Sequence, residues 1–284
     1  MLALGLALLA APALAENATP LVETGWLQAH LDDPGMLIAD VRDPDLPETT
    51  FANGHIAGAV SAPFASFGWQ TASDGLPPAD LLARGSIGIG DATLVVLVAD
   101  GINDFDFAKA TRAYWVLKAL GHASVSILDG GQMAWVAAGL PLVTGSTMAR
   151  PARFTPRPVR AVARTTADVA ARPGTVTLID ARSPDEYAGL RKVGLVARAG
   201  TIPGAFNLPH SGFYHRGFAT PAAILAMLEA ADIPTGRPII TFCNVGHWSA
   251  MVWFALSEVA GLPDVALYPG SMAAWAADPD RPVE

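Results

Sequence analysis

The sequence repeats itself at a separation near 140 residues. Three residues of the first half recur at this separation in the second half: Gly121 and Gly261, Gly130 and Gly270, and Trp135 and Trp275. Three coincidences at one separation indicate an internal duplication. A chain of 284 residues corresponds to about two domains, so the duplication predicts two similar domains.

Each half alternates short apolar runs with helical segments. Matching runs typical of buried parallel strands are 37–41 and 178–180, 93–98 and 238–242, and 124–128 and 264–268. The predicted helices run from Ala108 to Leu120 and from Ser249 to Ala260, and each is followed by a glycine suited to a C-cap. The pattern predicts two α/β domains, each a mainly parallel sheet flanked by helices.

The boundary between the halves is visible in composition. Residues 144–165 carry three prolines and five arginines, which is typical of an extended, solvated linker, although an anion site built from the arginines is the alternative. We therefore predict a first domain at 20–143, a linker at 144–165 and a second domain at 166–284.

The N-terminus has the pattern of an export signal. Residues 2–15 are apolar and uncharged and end in Ala13-Leu14-Ala15, a small-x-small cleavage pattern. A membrane anchor is the alternative, but this stretch is shorter than the ~20 residues that a span needs. We predict a signal peptide at 1–15 and a periplasmic or secreted mature protein.

Composition excludes several classes of function. With 51% hydrophobic and 15% charged residues, the chain is not intrinsically disordered. A net charge of -8 disfavours nucleic-acid binding. One cysteine rules out a disulfide framework and a multi-cysteine metal site, and the six histidines are scattered, so we predict no metal and no cofactor.

The single cysteine lies at a position where the two halves of the sequence differ. Cys243 follows a predicted strand and precedes a predicted helix, with Asn244, Val245, Gly246, His247 and Trp248 between them. Open α/β sheets bind ligands at such strand ends, and unpaired helix amides together with a glycine turn favour an anion there. Cys243 is the candidate nucleophile as a thiolate, and an inert buried cysteine is the alternative.

The motifs, taken in order and doubled, resemble those of tandem-domain rhodaneses, the thiosulfate and 3-mercaptopyruvate sulfurtransferases. The resemblance rests on matching segments in both halves: Asp40-Val41-Arg42 with 54–59, Asp180-Ala181-Arg182 with 201–205, the loop 243–248, and 267–271 with Trp275. It implies two rhodanese-like domains, of which the first is non-catalytic, with Asp100 at the position of the nucleophile.

The resemblance also implies a function. Cys243 would take a sulfane sulfur from thiosulfate or 3-mercaptopyruvate and pass it, as a persulfide, to a thiol, cyanide or another thiophilic acceptor. No cofactor is implied, no nucleic-acid or membrane partner is expected after signal removal, and a monomer is expected. The substrate-binding candidates are Asn244, Val245, Gly246, His247, Trp248, Ser249, Arg182 and His210.

Several roles stay open at this point. The loop carries one histidine and one tryptophan, whereas thiosulfate-type loops usually carry two basic residues and mercaptopyruvate-type loops small neutral ones. His247 either holds a donor anion as imidazolium or packs within the loop, and Trp248 either walls the pocket or belongs to the core. Arg182 either contacts donor oxygens or pairs with a carboxylate, and His210 either rims the site or lies on the surface.

Two other functions share features of this cysteine loop. A phosphatase of the cysteine-loop type needs an arginine six residues after the cysteine, and Ser249 stands there instead. A carrier or redox sensor that holds a persulfide for a partner protein without turnover has the same sequence features as an enzyme, so steady-state turnover has to separate them.

Overall fold

Two parallel sheets form the framework of the molecule. The structure is a computed structural model that describes residues 19–44, 50–70, 74–82, 87–172 and 174–284. The predicted signal peptide at 1–15 lies outside the described residues. Among those residues, no helix combines the length and the apolarity that crossing a bilayer would require.

The first sheet contains five strands in the order β1-β5-β4-β2-β3, all parallel. Its strands are β1 (Leu21–Val22), β2 (Met36–Asp40), β3 (Val60–Ser61), β4 (Leu94–Val98) and β5 (Val125–Leu128). The helices of this half are α1 (Thr24–Ala29), α2 (Phe64–Phe67), α3 (Asp104–Ala119) and α4 (Gly131–Ala137), with a 3₁₀ turn at Phe51–Asn53.

The second sheet repeats this arrangement with four strands in the order β7-β6-β8-β9, again all parallel. Its strands are β6 (Thr177–Asp180), β7 (Phe206–Asn207), β8 (Ile239–Phe242) and β9 (Val265–Leu267). Its helices are α5 (Thr166–Ala170), α6 (Pro184–Tyr187), α7 (Pro221–Ala230), α8 (Trp248–Trp253) and α9 (Ser271–Trp275), and 3₁₀ turns lie at Arg160–Val162 and His210–Gly212.

The predicted α/β architecture with two parallel sheets is confirmed. The counterpart of β1 in the second half is reduced to one parallel bridge between Ala163 and Leu267, which matches the pairing of Leu21 with Ile127. The predicted second helix begins as α8 and continues as a π-helix at Phe254–Val259. The segment 144–165 therefore ends by joining the edge of the second sheet.

Helix α3 is the element that joins the two halves. It is buried on nearly every side, which is the pattern of a helix enclosed by protein on all faces. Tyr114 packs edge-on against Phe254 with 4.9 Å between ring centroids, and its hydroxyl donates to Glu258 at 2.8 Å. Trp115 donates its indole N–H to the carbonyl of Val162 at 2.9 Å. One continuous apolar core therefore spans both sheets.

A buried Asp-x-Arg pair lies at the end of β2 in the first sheet and at the end of β6 in the second. Arg182 Nη2 lies 2.6 Å from Asp180 Oδ2, and both side chains are fully buried. The same arginine donates to the carbonyl of Gly200 at 2.8 Å, and Arg42 makes the same pair with Asp40. The pair holds the loop at Gly200 against the strand end.

Removing one charge of this pair should destabilise the protein strongly. Asp180→Asn leaves the Arg182 guanidinium buried without its counter-ion, so we expect a loss of about 3–5 kcal/mol in the free energy of unfolding. Asp278→Asn is the matched control, because its pair with Arg281 is partly exposed and should contribute under ~1 kcal/mol. Urea unfolding measures both, and equal losses would contradict a dominant role for the buried pair.

Candidate active site

Cys243 is the first residue after strand β8 and is buried at the start of a tight loop. The backbone N–H of Gly246 donates to Cys243 Sγ at 3.2 Å, and Ser249 Oγ donates to the same sulfur at 3.3 Å. Gly246 takes a φ of +79°, and a Cβ there would approach the carbonyl oxygen of Pro269 to 2.8 Å. Glycine is therefore required where the loop turns an amide toward the sulfur.

Ser271 fixes the backbone of Cys243 by a hydrogen bond. Its hydroxyl accepts from the backbone N–H of Cys243 at 3.1 Å and donates to the carbonyl of Tyr268 at 2.8 Å. Ser271 has a φ of +52°, the left-handed conformation that Gly131 adopts at the matching position of the first half. The sequence shows the turn at 270–271, but the role of the hydroxyl emerges only when β8 and α9 are placed side by side.

The position of Cys243 in the first half is taken by Ala99, which corrects the expectation that Asp100 stands there. Ala99 accepts from the N–H of Gln132 as Cys243 accepts from that of Met272, and Asp100 matches Asn244. The strand ends and the helix starts are 144 residues apart and the helix ends 140 apart, because the helix after the strand has 16 residues in the first half and 12 in the second. The separation of 140 that marks the duplication therefore does not hold at the cysteine loop.

Both halves contribute to the pocket above Cys243. The pocket measures about 530 Å³, and the first half supplies five of its residues: Asp43, Phe64, Gln70, Phe105 and Lys109. The second half supplies the others: Val193, Leu195, Cys243, Asn244, Val245, His247 and Trp248. Gln70 also donates its side-chain amide to the carbonyl of Val245 at 2.7 Å. None of the first-half residues was predicted, because domain packing leaves no local signal in one sequence.

Arg112 brings a buried positive charge from the first half to the cysteine loop. Its Nη1 donates to the carbonyl of Gly246 at 3.4 Å, and its guanidinium stacks over Trp115 at 4.4 Å. Burial lowers the pKa of Arg112 to about 10, and its interaction with Cys243 opposes that fall. Arg112 therefore stays charged at neutral pH and places a positive charge behind the cysteine loop.

His247 packs within the loop, which favours this role over that of holding a donor anion. Its ring contacts Phe64 and Phe105 at centroid distances of 5.2 and 5.0 Å, and its Nε2 lies 3.3 Å from the carbonyl oxygen of Phe105. Burial lowers the pKa of His247 to about 4, and Arg112 adds to the effect. The imidazole is neutral near pH 7 and does not supply a charge for a donor anion.

Trp248 forms a wall of the pocket, and His210 supports it from behind. The two rings stack with 4.3 Å between centroids, and His210 Nδ1 lies 2.9 Å from Asp104 Oδ2 of the first half. Burial lowers the pKa of His210, and Asp104 raises it in opposition. His210 is not among the lining residues, so the structure gives it a supporting position where direct substrate contact was predicted.

The structure also separates Arg182 from the pocket. Its guanidinium is enclosed with Asp180 and is not among the lining residues, so the structure favours the pair with a carboxylate over the contact with donor oxygens. Asn244 does line the pocket, and its side-chain amide donates to Glu186 at 2.9 Å. That contact fixes the loop to α6. Among the described residues, no group of three or more His, Cys, Asp or Glu side chains is arranged to hold a metal ion.

The fold and this cysteine loop define a class of protein. The model of the Rhodanese-like domain matches twice, at residues 23–138 and 165–278. The chain therefore belongs to the rhodanese-like family, with two domains in tandem, and the family predicted from the motifs is confirmed.

Relatives and a solved structure match along most of the chain. It is 30% identical over 272 residues to the sulfur carrier protein TtuD of Thermus thermophilus, covering 90% of this chain and 93% of that protein. It is 30% identical over 287 residues to the 3-mercaptopyruvate sulfurtransferase of Escherichia coli K12, covering 94% and 99%. The crystal structure of SseA from Escherichia coli, a 3-mercaptopyruvate sulfotransferase, matches with a TM-score of 0.76 and 28% identity, covering 89% and 99%.

Replacing Arg112 should slow the chemistry of Cys243 itself. Arg112→Met removes the buried charge, and we expect alkylation of Cys243 by iodoacetamide at pH 7 to slow about tenfold, or about 1.4 kcal/mol of anion stabilisation. Arg112→Lys keeps a charge and should recover part of the rate. Arg172→Met, at an exposed arginine, is the matched control. An unchanged rate in Arg112→Met would show that this charge does not act on the sulfur.

Burial of neutral His247 should make the protein acid-sensitive. The unfolded side chain titrates near pH 6.5 and the folded one near 4, so its contribution to stability is present above pH 6.5 and is lost as pH falls toward 4. Between pH 7 and pH 4 the wild type should lose about 3 kcal/mol more in unfolding free energy than His247→Gln. Urea titrations at both pH values test this, and parallel losses would contradict it.

Proposed function

We propose that the protein is a sulfurtransferase that moves a sulfane sulfur from a donor such as thiosulfate or 3-mercaptopyruvate to a thiophilic acceptor through a persulfide on Cys243. The names of its relatives, thiosulfate sulfurtransferase and 3-mercaptopyruvate sulfurtransferase, support this class of reaction. One observation carries the proposal for this chain. The sulfur of Cys243 opens into a pocket of about 530 Å³ and accepts two hydrogen bonds at its base.

The first step follows from this geometry. The Cys243 thiolate attacks the outer sulfur of thiosulfate, a sulfur–sulfur bond forms at Cys243, and the old bond breaks with its electron pair leaving on sulfite. The Gly246 amide and the Ser249 hydroxyl already point at Sγ, and the charge of Arg112 lies behind the loop. These groups stabilise negative charge on sulfur without having to reorganise during the reaction.

The second step returns the enzyme to its starting state. A thiolate or cyanide attacks the terminal sulfur of the persulfide, takes it, and leaves the Cys243 thiolate behind. The exposed edge of the pocket, at Phe105 and Leu195, gives the acceptor its approach. Both steps need the same pocket, which fits a double-displacement reaction.

The first half acts as a structural partner in this proposal. Ala99 gives it no nucleophile at the matching strand end, and its helix α3 supplies Phe105, Lys109 and Arg112 to the site of the second half. The presence of Ala99 at this position supports the non-catalytic role predicted for residues 20–143.

We also propose that the chain is exported to the periplasm or secreted after cleavage following Ala15, and that the mature protein is a monomer. The apolar segment 2–15 and its small-x-small end support export. N-terminal sequencing of the secreted fraction and sedimentation of the mature protein test the two statements.

Mass spectrometry tests the central proposal. After incubation with thiosulfate or 3-mercaptopyruvate, the intact wild-type protein should gain one sulfur atom, and cyanide should remove it. Cys243→Ser is expected to gain nothing. No gain with either donor, although Cys243 can be alkylated, would overturn the proposal.

Turnover distinguishes an enzyme from a carrier. An enzyme should release thiocyanate repeatedly when cyanide and donor are both present. A persulfide that forms once and is discharged only by a partner protein would instead indicate a carrier.

A further inference from the structure

The charges around the pocket above Cys243 are nearly balanced before any donor enters. Among the described residues that line it, Lys109 is the only lysine or arginine, and its Nζ lies 3.2 Å from Asp43 Oδ2 and 3.9 Å from Asp106 Oδ1. Arg112 lies behind the loop, where it donates to the carbonyl of Gly246. The one cation among the described lining residues is therefore already paired with carboxylates.

The third basic group of the pocket adds no charge at neutral pH. Burial among Phe64 and Phe105 lowers the pKa of His247 to about 4. A dianion that enters this pocket gives up the hydration of two charges, and among the described lining residues it meets no cation without a carboxylate partner. A monoanion gives up less, so the pocket disfavours the more highly charged donor.

The remaining walls are apolar and reach the surface. Phe64, Phe105, Val193, Leu195, Val245 and Trp248 surround the sulfur. Leu195 is 71% exposed and Phe105 is 50% exposed, so the pocket opens outward through apolar side chains. Contact with such walls favours binding only when the ligand has apolar surface of its own to bury.

From this arrangement we infer that the preferred donor is an organic monoanion with an apolar substituent, a thiosulfonate R–SO₂–S⁻ or a persulfide R–S–S⁻, in which R packs between Phe105, Leu195 and Trp248. The inference rests on the proposed function and specifies its substrate class. Inorganic thiosulfate, a dianion without an apolar part, is then a poor donor for this pocket.

The chemical step keeps atoms and charges balanced. For a thiosulfonate, the Cys243 thiolate attacks the terminal sulfur, the new bond forms between the two sulfurs, and the sulfonyl–sulfur bond breaks. Its electron pair leaves on the sulfinate R–SO₂⁻, and Cys243 carries the persulfide Cys–S–S⁻. For a persulfide donor the leaving group is the thiolate R–S⁻, and no additional oxidant or reductant enters either reaction.

A donor series tests the inference on the full-length protein. Thiosulfate, methanethiosulfonate, butanethiosulfonate and benzenethiosulfonate are compared by kcat/KM with cyanide as acceptor. We expect kcat/KM to rise about two- to fourfold for each methylene of R that becomes buried. We also expect butanethiosulfonate and benzenethiosulfonate to exceed thiosulfate by at least about tenfold, which corresponds to ~1.4 kcal/mol.

Two variants connect the preference to the pocket. Leu195→Ala should reduce the ratio of butane- to methanethiosulfonate, whereas Leu190→Ala, at a leucine 80% exposed and outside the lining residues, should leave that ratio unchanged. Asp43→Asn removes the closest negative partner of Lys109 and should shift preference toward thiosulfate about tenfold. The asparagine still accepts from the backbone N–H of Ala65, so the fold is retained.

The outcomes separate this inference from the proposed function. If thiosulfate equals or exceeds the organic donors and R has no effect, the substrate class is wrong while sulfur transfer through Cys243 stands. If no donor of the series places a sulfur on Cys243, the proposed function itself fails. A size dependence that persists unchanged in Leu195→Ala would place R elsewhere and overturn the assigned packing.

Discussion

The burial of helix α3 between the two sheets is the constraint on which the active site depends. Its apolar side chains join the cores of both halves, and the same burial carries Arg112 into the interior beneath the cysteine loop. An isolated buried guanidinium is costly, so its charge has to be offset locally. The carbonyls of Trp69 and Gly246, the face of Trp115 and the interaction with Cys243 provide that compensation. The packing of the two domains and the chemistry of Cys243 therefore depend on the same buried charge, that of Arg112.

The sequence predicts the structure best where a pattern depends on neighbouring residues and occurs in both halves. The apolar runs placed the main parallel strands to within one or two residues, and the separation of 140 identified the duplication. Cys243 stood out because a strand end, a glycine loop and a helix start lie within seven residues of one another. Each of these features depends on neighbours in the chain, which a single sequence contains.

The errors share a different physical origin. The resemblance to the family suggests Asp100 for the nucleophile position, whereas the hydrogen bonds of the strand end place Ala99 there. Arg182 is a candidate for contact with donor oxygens, and His210 is a candidate because its loop could rim the site. Whether such a group faces a pocket or a counter-ion depends on packing between distant segments. The same limit hid Arg112, Lys109 and Ser271.

The alanine at position 99 has a consequence for the history of the duplication. The first half keeps the matching strand end and a loop of the same length, five residues between strand and helix in each half, but Ala99 carries no thiol there. The two copies have consequently become complementary parts, one providing a nucleophile and the other a wall and a buried charge. Neither copy is an independent module any longer, and evolution could not exchange the second domain between proteins without losing part of its own active site.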